Sequence, residues 1–199
     1  KAEDEGRLRY AAYGGRVEEV EGLLDDNVDV NAADEYGFTA LHYAASGGEL
    51  EVVKELVTRG ADLTVRNRNG DTPLDDARSG KKVDVVEYIT GYMKESKAED
   101  EGRLRYAAYG GRVEEVEGLL DDNVDVNAAD EYGFTALHYA ASGGELEVVK
   151  ELVTRGADLT VRNRNGDTPL DDARSGKKVD VVEYITGYMK ESKAEDEGR

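Results

Sequence analysis

The chain has 199 residues, with 26 Lys and Arg against 45 Asp and Glu, and its formal net charge is −19. An acidic surface of this size repels nucleic acid and anionic membranes and favours a basic protein partner. The chain has no cysteine, which excludes disulfides and thiolate chemistry, and no apolar run long enough to span a membrane, so we expect a soluble protein, cytoplasmic if it is expressed in a cell.

The sequence repeats itself at an offset of 96 residues. Residues 1–103 are identical to residues 97–199 at every position, so a 96-residue unit is written twice and begun a third time at 193–199. In a natural gene, mutation would make the two copies differ at solvated positions, where most substitutions change the stability of the fold only slightly. We interpret the chain as an engineered or selected repeat, whose activity is bivalent by default. If the period continues beyond residue 199, the given sequence is part of a longer polymer of the same unit.

A second period of about 33 residues lies inside each unit. Asp29-Val30-Asn31-Ala32 and Asp62-Leu63-Thr64-Val65 are 33 residues apart, as are Leu41 and Leu74. Such a period indicates stacked supersecondary units and not a single globular core. The predicted domains are a three-repeat block at 1–96, divided as 1–33, 34–66 and 67–96, an identical block at 97–192, and the start of a third copy at 193–199 that extends the last helix.

The middle segment of each block predicts two short helices. Thr39 precedes the run Ala40–Ala45, which indicates a helix with a hydroxyl N-cap, and Gly47-Gly48 ends it. Apolar residues at helical spacing in 51–57 predict a second helix, closed by Gly60 in the left-handed conformation. Helices this short are unstable alone, so they must stack on neighbouring repeats.

Several residues of this segment stand in the pattern of a known family. They are Asp34, Gly37, Thr39-Ala40-Leu41-His42, Ala44-Ala45, Gly48, Glu51, Leu56 and Gly60-Ala61-Asp62. The segment resembles the ankyrin repeat, and the resemblance extends over essentially the whole chain. It implies an all-α solenoid of helix-turn-helix units with short β-hairpin-like fingers. Asn27 at the place of Gly60, and Asp75 at the place of His42, make the outer segments look like capping repeats, so each block is a complete ankyrin domain.

The joint between the blocks lacks a finger, and we predict one continuous helix from about Val83 to about Tyr109. No Pro interrupts it, and oppositely charged residues stand four apart, each pair adding a few tenths of a kcal/mol. These pairs are Lys97 and Glu101, Glu99 and Arg103, and Glu101 and Arg105. Two observations favour a break instead. Ser96-Lys97-Ala98-Glu99 matches a capping box, and Gly91 and Gly102 each cost about 1 kcal/mol inside a helix.

No constellation for catalysis emerges from the sequence. The histidines, His42 and His138, lie in the Thr-Ala-Leu-His motif after Thr39 and Thr135, and the resemblance implies that they link adjacent repeats. The acidic run 25–29 lacks the glycine and the bidentate glutamate of a calcium loop. Asp75 and Asp76 follow a helix start, where surface acids complement the helix dipole. We therefore expect no enzyme, no cofactor and no metal site.

Protein recognition has more support, because the resemblance implies a concave binding surface made of fingers and inward helix faces. The candidate contact residues are Glu35, Tyr36, Phe38, Ser46, Gly47, Arg66, Arg68, Asn69 and Asp71, with copies that include Glu131, Tyr132, Phe134, Ser142, Arg162, Arg164 and Asp167. Tyr36 and Phe38 are aromatic anchors of the kind that hot spots use. The alternative interpretation, which the sequence supports equally, is that Phe38 only packs on the neighbouring finger and that Tyr36 is an ordinary aromatic residue of the loop. Tyr13 and Tyr109 extend the same surface.

Two functions fit these observations. The first is a non-enzymatic ankyrin scaffold, designed as a rigid fusion building block that holds two three-repeat domains at a fixed distance and angle. The alternative is a bivalent adaptor that grips a basic protein partner with two acidic concave surfaces. The terminal helices also leave end-to-end self-association open.

Overall fold

The computed structural model describes residues 1–197, which form eleven α-helices and contain no β-strand. The all-α prediction is confirmed. The helices are α1 (Ala2–Tyr13), α2 (Val17–Asp25), α3 (Ala40–Gly47), α4 (Leu50–Thr58), α5 (Pro73–Ser79), α6 (Val83–Tyr109), α7 (Val113–Asp121), α8 (Ala136–Gly143), α9 (Leu146–Thr154), α10 (Pro169–Ser175) and α11 (Val179–Glu197). The chain divides into two compact units, with the boundary between Lys94 and Glu95.

The first unit is a stack of helix pairs. Helices α1, α3 and α5 pack side by side as an inner layer, and each of α1 and α3 also packs on the helix that follows it, while α2 packs on α4. Small residues such as Ala11, Ala44 and Ala77 are fully buried in the inner helices, which lets these helices approach closely. Larger side chains, including Leu56 and Ile89, fill the core between the layers.

The second unit repeats this arrangement with its own residues. Helix α8 packs on α10 and α9, and α9 packs on α7 and α11. Its core contains Leu104, Ala140, Leu152 and Ile185, at positions that correspond to core residues of the first unit. Identical sequence therefore gives each unit its own hydrophobic core.

The helix ends follow the predicted capping residues. Thr39 caps α3, and Gly48 ends it with φ +80° in the left-handed region. Gly60 also has a positive φ, +85°, after α4. Asn27 adopts φ +58° after α2, as expected of the residue that replaces glycine there. These predictions are confirmed. They could be made from the sequence because each depends on the backbone preference of a single residue.

The ion pairs on α6 differ from the predicted ones. Lys97 and Glu101 do pair, at 3.7 Å. Arg103, however, contacts Asp100 at 3.1 Å and Glu115 of α7 at 3.8 Å, so its predicted pairing with Glu99 is wrong. Arg105 is the second correction, because its guanidinium donates to the carbonyl of Ala128 at 3.3 Å and not to Glu101. Arg103 thus pairs with a nearer neighbour on its own helix as well as with a tertiary partner, and Arg105 takes a tertiary partner alone, since any one exposed pair contributes little to stability.

The last helix runs to Glu197, and the part of the predicted extension at Gly198 and Arg199 lies outside the described residues. Within residues 1–197 no helix combines the length and the apolar character needed to cross a membrane.

Candidate functional site

The first finger is a tight turn from Asp34 to Phe38, directly before α3. Asp34 Oδ1 accepts the backbone N–H groups of Tyr36 at 2.9 Å and Phe38 at 3.0 Å. Gly37 has φ +82°, and a Cβ there would lie 3.0 Å from the Cα of Asn67. The turn therefore requires glycine at position 37, and it holds the Tyr36 side chain outward, with 57% of its surface exposed.

The second finger, from Asn67 to Asp71, contacts the first finger through the main chain. The N–H of Arg68 donates to the carbonyl of Tyr36 at 2.9 Å. Asn67 is buried, and its Oδ1 accepts the N–H of Asp71 at 3.1 Å, which shapes this finger as Asp34 shapes the first. The two fingers thus bring Tyr36 and Arg68, both exposed, next to each other.

The remaining predicted contact residues lie at different places. Glu35 is exposed on the first finger. Arg66 is exposed and donates to the carbonyl of Gly70 at 2.6 Å. Ser46 lies in the last turn of α3, about 9 Å along the axis from the finger end. Its hydroxyl donates to the carbonyl of Tyr43 at 3.1 Å. The structure does not bring Ser46 to the fingers.

Phe38 packs against α3 of its own repeat. Its ring centroid lies 5.6 Å from that of Tyr43 and 5.7 Å from that of His42. The side chain is half-buried, in contrast to Tyr36. Phe38 therefore supports the base of the finger, while Tyr36 offers its ring to solvent.

Thr39 and His42 connect α3 to the second finger. His42 is completely buried, and its Nδ1 accepts the N–H of Thr39 at 3.1 Å. Because Nδ1 is the acceptor, we assign the proton to Nε2, which donates to the carbonyl of Asp71 at 3.1 Å. Thr135 and His138 make the same contacts in the second unit, with Nε2 3.1 Å from the carbonyl of Asp167. The link joins adjacent repeats.

The inner helices and the first finger form an open, shallow pocket of about 390 Å³. This tyrosine pocket is lined by Gly6, Arg9, Tyr10, Tyr13, Asp34 and Tyr43. The rings of Tyr13 and Tyr43 meet edge to face, with centroids 6.4 Å apart. Tyr10 and Tyr13 are 71% and 57% exposed, so more than half of the surface of each residue is open to solvent.

A carboxylate forms one wall of the tyrosine pocket. Asp34 Oδ2 accepts the hydroxyl of Tyr43 at 2.7 Å. Burial acts to raise the pKa of Asp34, but hydrogen bonds from Tyr43 and from the amides of Phe38 and Tyr36 lower it below its ordinary value. The same bond from the phenol to the carboxylate raises the pKa of Tyr43 to about 12. The pocket therefore holds a negative charge on Asp34 and a neutral phenol at neutral pH.

Sequence reasoning missed Tyr10, Tyr43 and Arg9, although a signal for two of them was present. Tyr10, Tyr43 and Asp76 are 33 residues apart, so they occupy the same register on α1, α3 and α5. Residues at one register of stacked repeats line one face. Applying the period to the aromatic residues, and not only to the glycines and leucines, would have found this row.

The second unit has its own tyrosine pocket, of about 280 Å³. It is lined by Gly102, Arg105, Tyr106, Tyr109 and Tyr139, the counterparts of residues in the first pocket. Tyr139 donates to Asp130 at 2.7 Å, and the ring centroids of Tyr109 and Tyr139 lie 6.3 Å apart. Each block therefore presents a pocket of tyrosines and an arginine, but Asp130 is not among the residues that line the second one and reaches it only through its bond from Tyr139.

The acidic pair on α5 is divided between two environments. Asp75 Oδ2 accepts the N–H of Thr72 at 3.0 Å, which makes it a cap, and this bond is the main cause of its lowered pKa. Asp76 was expected on the surface but is half-buried, and desolvation raises its pKa. Among the side chains that the structure describes, those of residues 1–194, no group of three or more His, Asp or Glu is placed to hold a metal ion.

A comparison with protein families places these elements in context. The family model described as ankyrin repeats (3 copies) matches residues 8–101, 77–163 and 104–196. The middle match crosses the joint, so the repeat pattern continues in the sequence through α6. No curated protein matches the chain.

Proposed function

Because this chain belongs to the ankyrin repeat family, whose members are typically protein-interaction modules, we propose that it is a non-enzymatic scaffold designed as a rigid fusion building block. Helix α6 would hold two three-repeat blocks at a fixed distance and angle. The observation that carries this proposal is the identity of residues 1–103 with residues 97–199. Natural drift would have removed that identity from the solvated positions.

The composition of the joint supports a stiff connection. Helix α6 has 27 residues, a length of about 40 Å, and contains no Pro. The pairs Lys97–Glu101 at 3.7 Å and Asp100–Arg103 at 3.1 Å add a few tenths of a kcal/mol each to an exposed helix. Between the buried residues Ile89 and Leu104 the helix is mostly polar and contains no buried residue, which suits a segment that bridges two bodies through solvent.

Spin labels can test the joint, since the chain has no cysteine and accepts labels only where they are introduced. Glu18→Cys and Glu114→Cys place one exposed label in each block. Inserting Gly-Gly-Ser after Ser96 should broaden the distance distribution between the labels. Inserting seven helix-forming residues at the same place keeps the helical phase within about 20°, so the distribution should stay narrow and shift by up to about 10 Å. An unchanged width after the glycine insertion would contradict the proposal.

The second candidate function is a bivalent adaptor that uses its acidic faces to bind a basic protein. Exposed tyrosines on the finger side of each block support this function. Tyr10, Tyr13 and Tyr36 in the first block are all more than half exposed, as are their copies in the second. Aromatic residues open to solvent are the usual anchors of protein interfaces. The net charge of −19 would attract a basic partner.

Binding kinetics test the adaptor function. For a basic protein selected to bind the chain, Tyr36→Ala with Tyr132→Ala should raise the dissociation rate, whereas added salt should mainly lower the association rate. Tyr92→Ala with Tyr188→Ala is the matched control, since these tyrosines are also exposed but lie outside the fingers. A partner that responds neither to the finger substitutions nor to salt would contact another surface.

A further inference from the structure

We propose that each tyrosine pocket receives the guanidinium group of an arginine side chain from a basic partner. The inference rests on the proposed protein-binding function, because it names the side chain that this face holds. It goes beyond that function by assigning a chemical preference to Tyr10, Tyr43 and Asp34, none of which the sequence analysis placed among the candidate contact residues.

The walls of the pocket suit a flat cation. Tyr13 and Tyr43 stand nearly perpendicular, with an interplanar angle of 86°, so their contact covers only one face of one ring, and Tyr13 keeps 57% of its surface exposed for a ligand. A guanidinium group is planar, is weakly hydrated and stacks on aromatic faces. The volume of about 390 Å³ leaves room for this group and part of its aliphatic stem.

The chain itself already uses this kind of contact at the edge of the pocket. The guanidinium carbon of Arg16 lies 4.7 Å from the centroid of the Tyr10 ring. Arg112 repeats the contact on Tyr106 at 4.6 Å. Both distances are within the range of cation–π attraction, about 6 Å. Tyr13 is 57% exposed, so its ring can accept the next guanidinium from outside the chain.

The pocket also supplies the opposite charge. Asp34 Oδ2 receives one hydrogen bond, from Tyr43 at 2.7 Å, and a carboxylate oxygen has two lone pairs. An incoming N–H group can therefore bind Oδ2 without displacing the phenol. The amides of the finger hold Oδ1, so the carboxylate is already oriented before a ligand arrives.

Arg9 makes the pocket select between cations. Its guanidinium lies near Asp34 and donates to the carbonyl of Ala32 at 3.2 Å, so its charge partly offsets that of the carboxylate. A lysine ammonium, which is a compact and strongly hydrated charge, gains less from the tyrosine rings and depends more on the net charge of the pocket. A guanidinium gains stacking on the tyrosines as well. We therefore infer a preference for arginine over lysine.

Four capped pentapeptides provide the test, each of the form acetyl-Gly-Ser-X-Ser-Gly-amide, where X is Arg, Lys, Phe or the neutral arginine isostere citrulline. The full chain is labelled with ¹³C in its tyrosine rings, and the ring signals are followed by NMR during titration. The Arg peptide should shift the signals of Tyr13 and Tyr43 and saturate at millimolar concentration. The Lys and citrulline peptides should bind several-fold more weakly. A Lys, Phe or citrulline peptide that binds as tightly as the Arg peptide overturns the inference.

Variants connect the signal to the pocket. Tyr13→Ala with Tyr109→Ala should weaken binding of the Arg peptide about three- to tenfold, the size of a cation–π contact. Tyr92→Ala with Tyr188→Ala should leave it unchanged. Asp34→Asn with Asp130→Asn keeps an oxygen for the finger amides and removes the charge, so it should also weaken binding.

The outcomes separate this inference from the function on which it rests. If no peptide saturates, or if the Tyr13 and Asp34 variants bind the Arg peptide as the parent chain does, the arginine pocket is refuted. A selected basic protein whose dissociation still responds to Tyr36→Ala would then leave the adaptor function standing. If that response is absent as well, both proposals fail.

Discussion

Replacing His42 and His138 with alanine tests the link between adjacent repeats. The substitution removes the acceptor of the Thr39 N–H, 3.1 Å away, and the donor to the carbonyl of Asp71, also at 3.1 Å. The Asp71 carbonyl keeps its bond from the N–H of Asn67 at 3.0 Å. The N–H of Thr39 loses its acceptor in a buried position, so this unpaired donor accounts for most of the expected loss in the free energy of unfolding.

The expected loss follows from the cost of that group. A buried donor without an acceptor destabilises a protein by about 1 to 3 kcal/mol. The buried ring also leaves a cavity, which adds to the loss. With urea m-values of about 1 to 3 kcal/mol/M for small proteins, the midpoint of unfolding should fall by about 1 M.

Urea unfolding followed by circular dichroism at 222 nm measures the effect. His42→Asn with His138→Asn is the control, because a short polar side chain can still accept the threonine N–H, as Asp75 accepts that of Thr72 at 3.0 Å. It cannot reach the second finger. The asparagine variant should therefore lie between the parent and the alanine variant. Unchanged midpoints in the alanine variant would refute the assignment of His42 as a structural link.

Three further predictions concern Gly37, Tyr43 and Asp34, each changed in both blocks. Gly37→Ala should lower the melting temperature more than Gly60→Ala. Both glycines have a positive φ, +82° and +85°, but only a Cβ at position 37 would meet backbone, 3.0 Å away. Equal melting temperatures of the two variants would contradict this. The bond to Asp34 raises the pKa of Tyr43 to about 12, so stability should be complete below about pH 10 and fall as pH rises toward 12; an unchanged slope in Tyr43→Phe would argue against this cause. The effect of Asp34 on stability has the opposite dependence on pH. Because its pKa is lower in the folded state than the ordinary 3.8, its stabilising contribution is complete above pH 3.8 and is lost as the pH falls through the folded-state pKa. In acid titration, Asp34→Asn should therefore lose stability less steeply than the parent chain, and an equally steep loss would contradict this.

Local preferences explain why α3 was predictable. A threonine before the run at Ala40 and a glycine pair after it set both ends of the helix, and the structure places α3 at Ala40–Gly47 with Gly48 in the left-handed region. These signals act over a few residues and depend little on the rest of the fold. The same reasoning identified Asn27, whose φ is +58°.

Contacts across the stack were harder to predict. The tyrosine pocket forms because stacking brings Tyr10 of α1 to the same face as Tyr43 of α3, and only the 33-residue period, not a local pattern, indicates this. Arg103 shows the same difficulty, since Glu115 lies on another helix and competes with the neighbours of Arg103 on α6. Spacing along one helix does not include such partners.

The duplication turns the chain into its own reference. Asp34 and Asp130 receive the same phenol bond at 2.7 Å, and the environment around each is built from the same residues. A substitution made in one block leaves the other as an unaltered standard at the same temperature, pH and concentration. Signals that coincide in the parent chain would separate in such a variant, and the size of the separation would report the effect of that single change without error between samples.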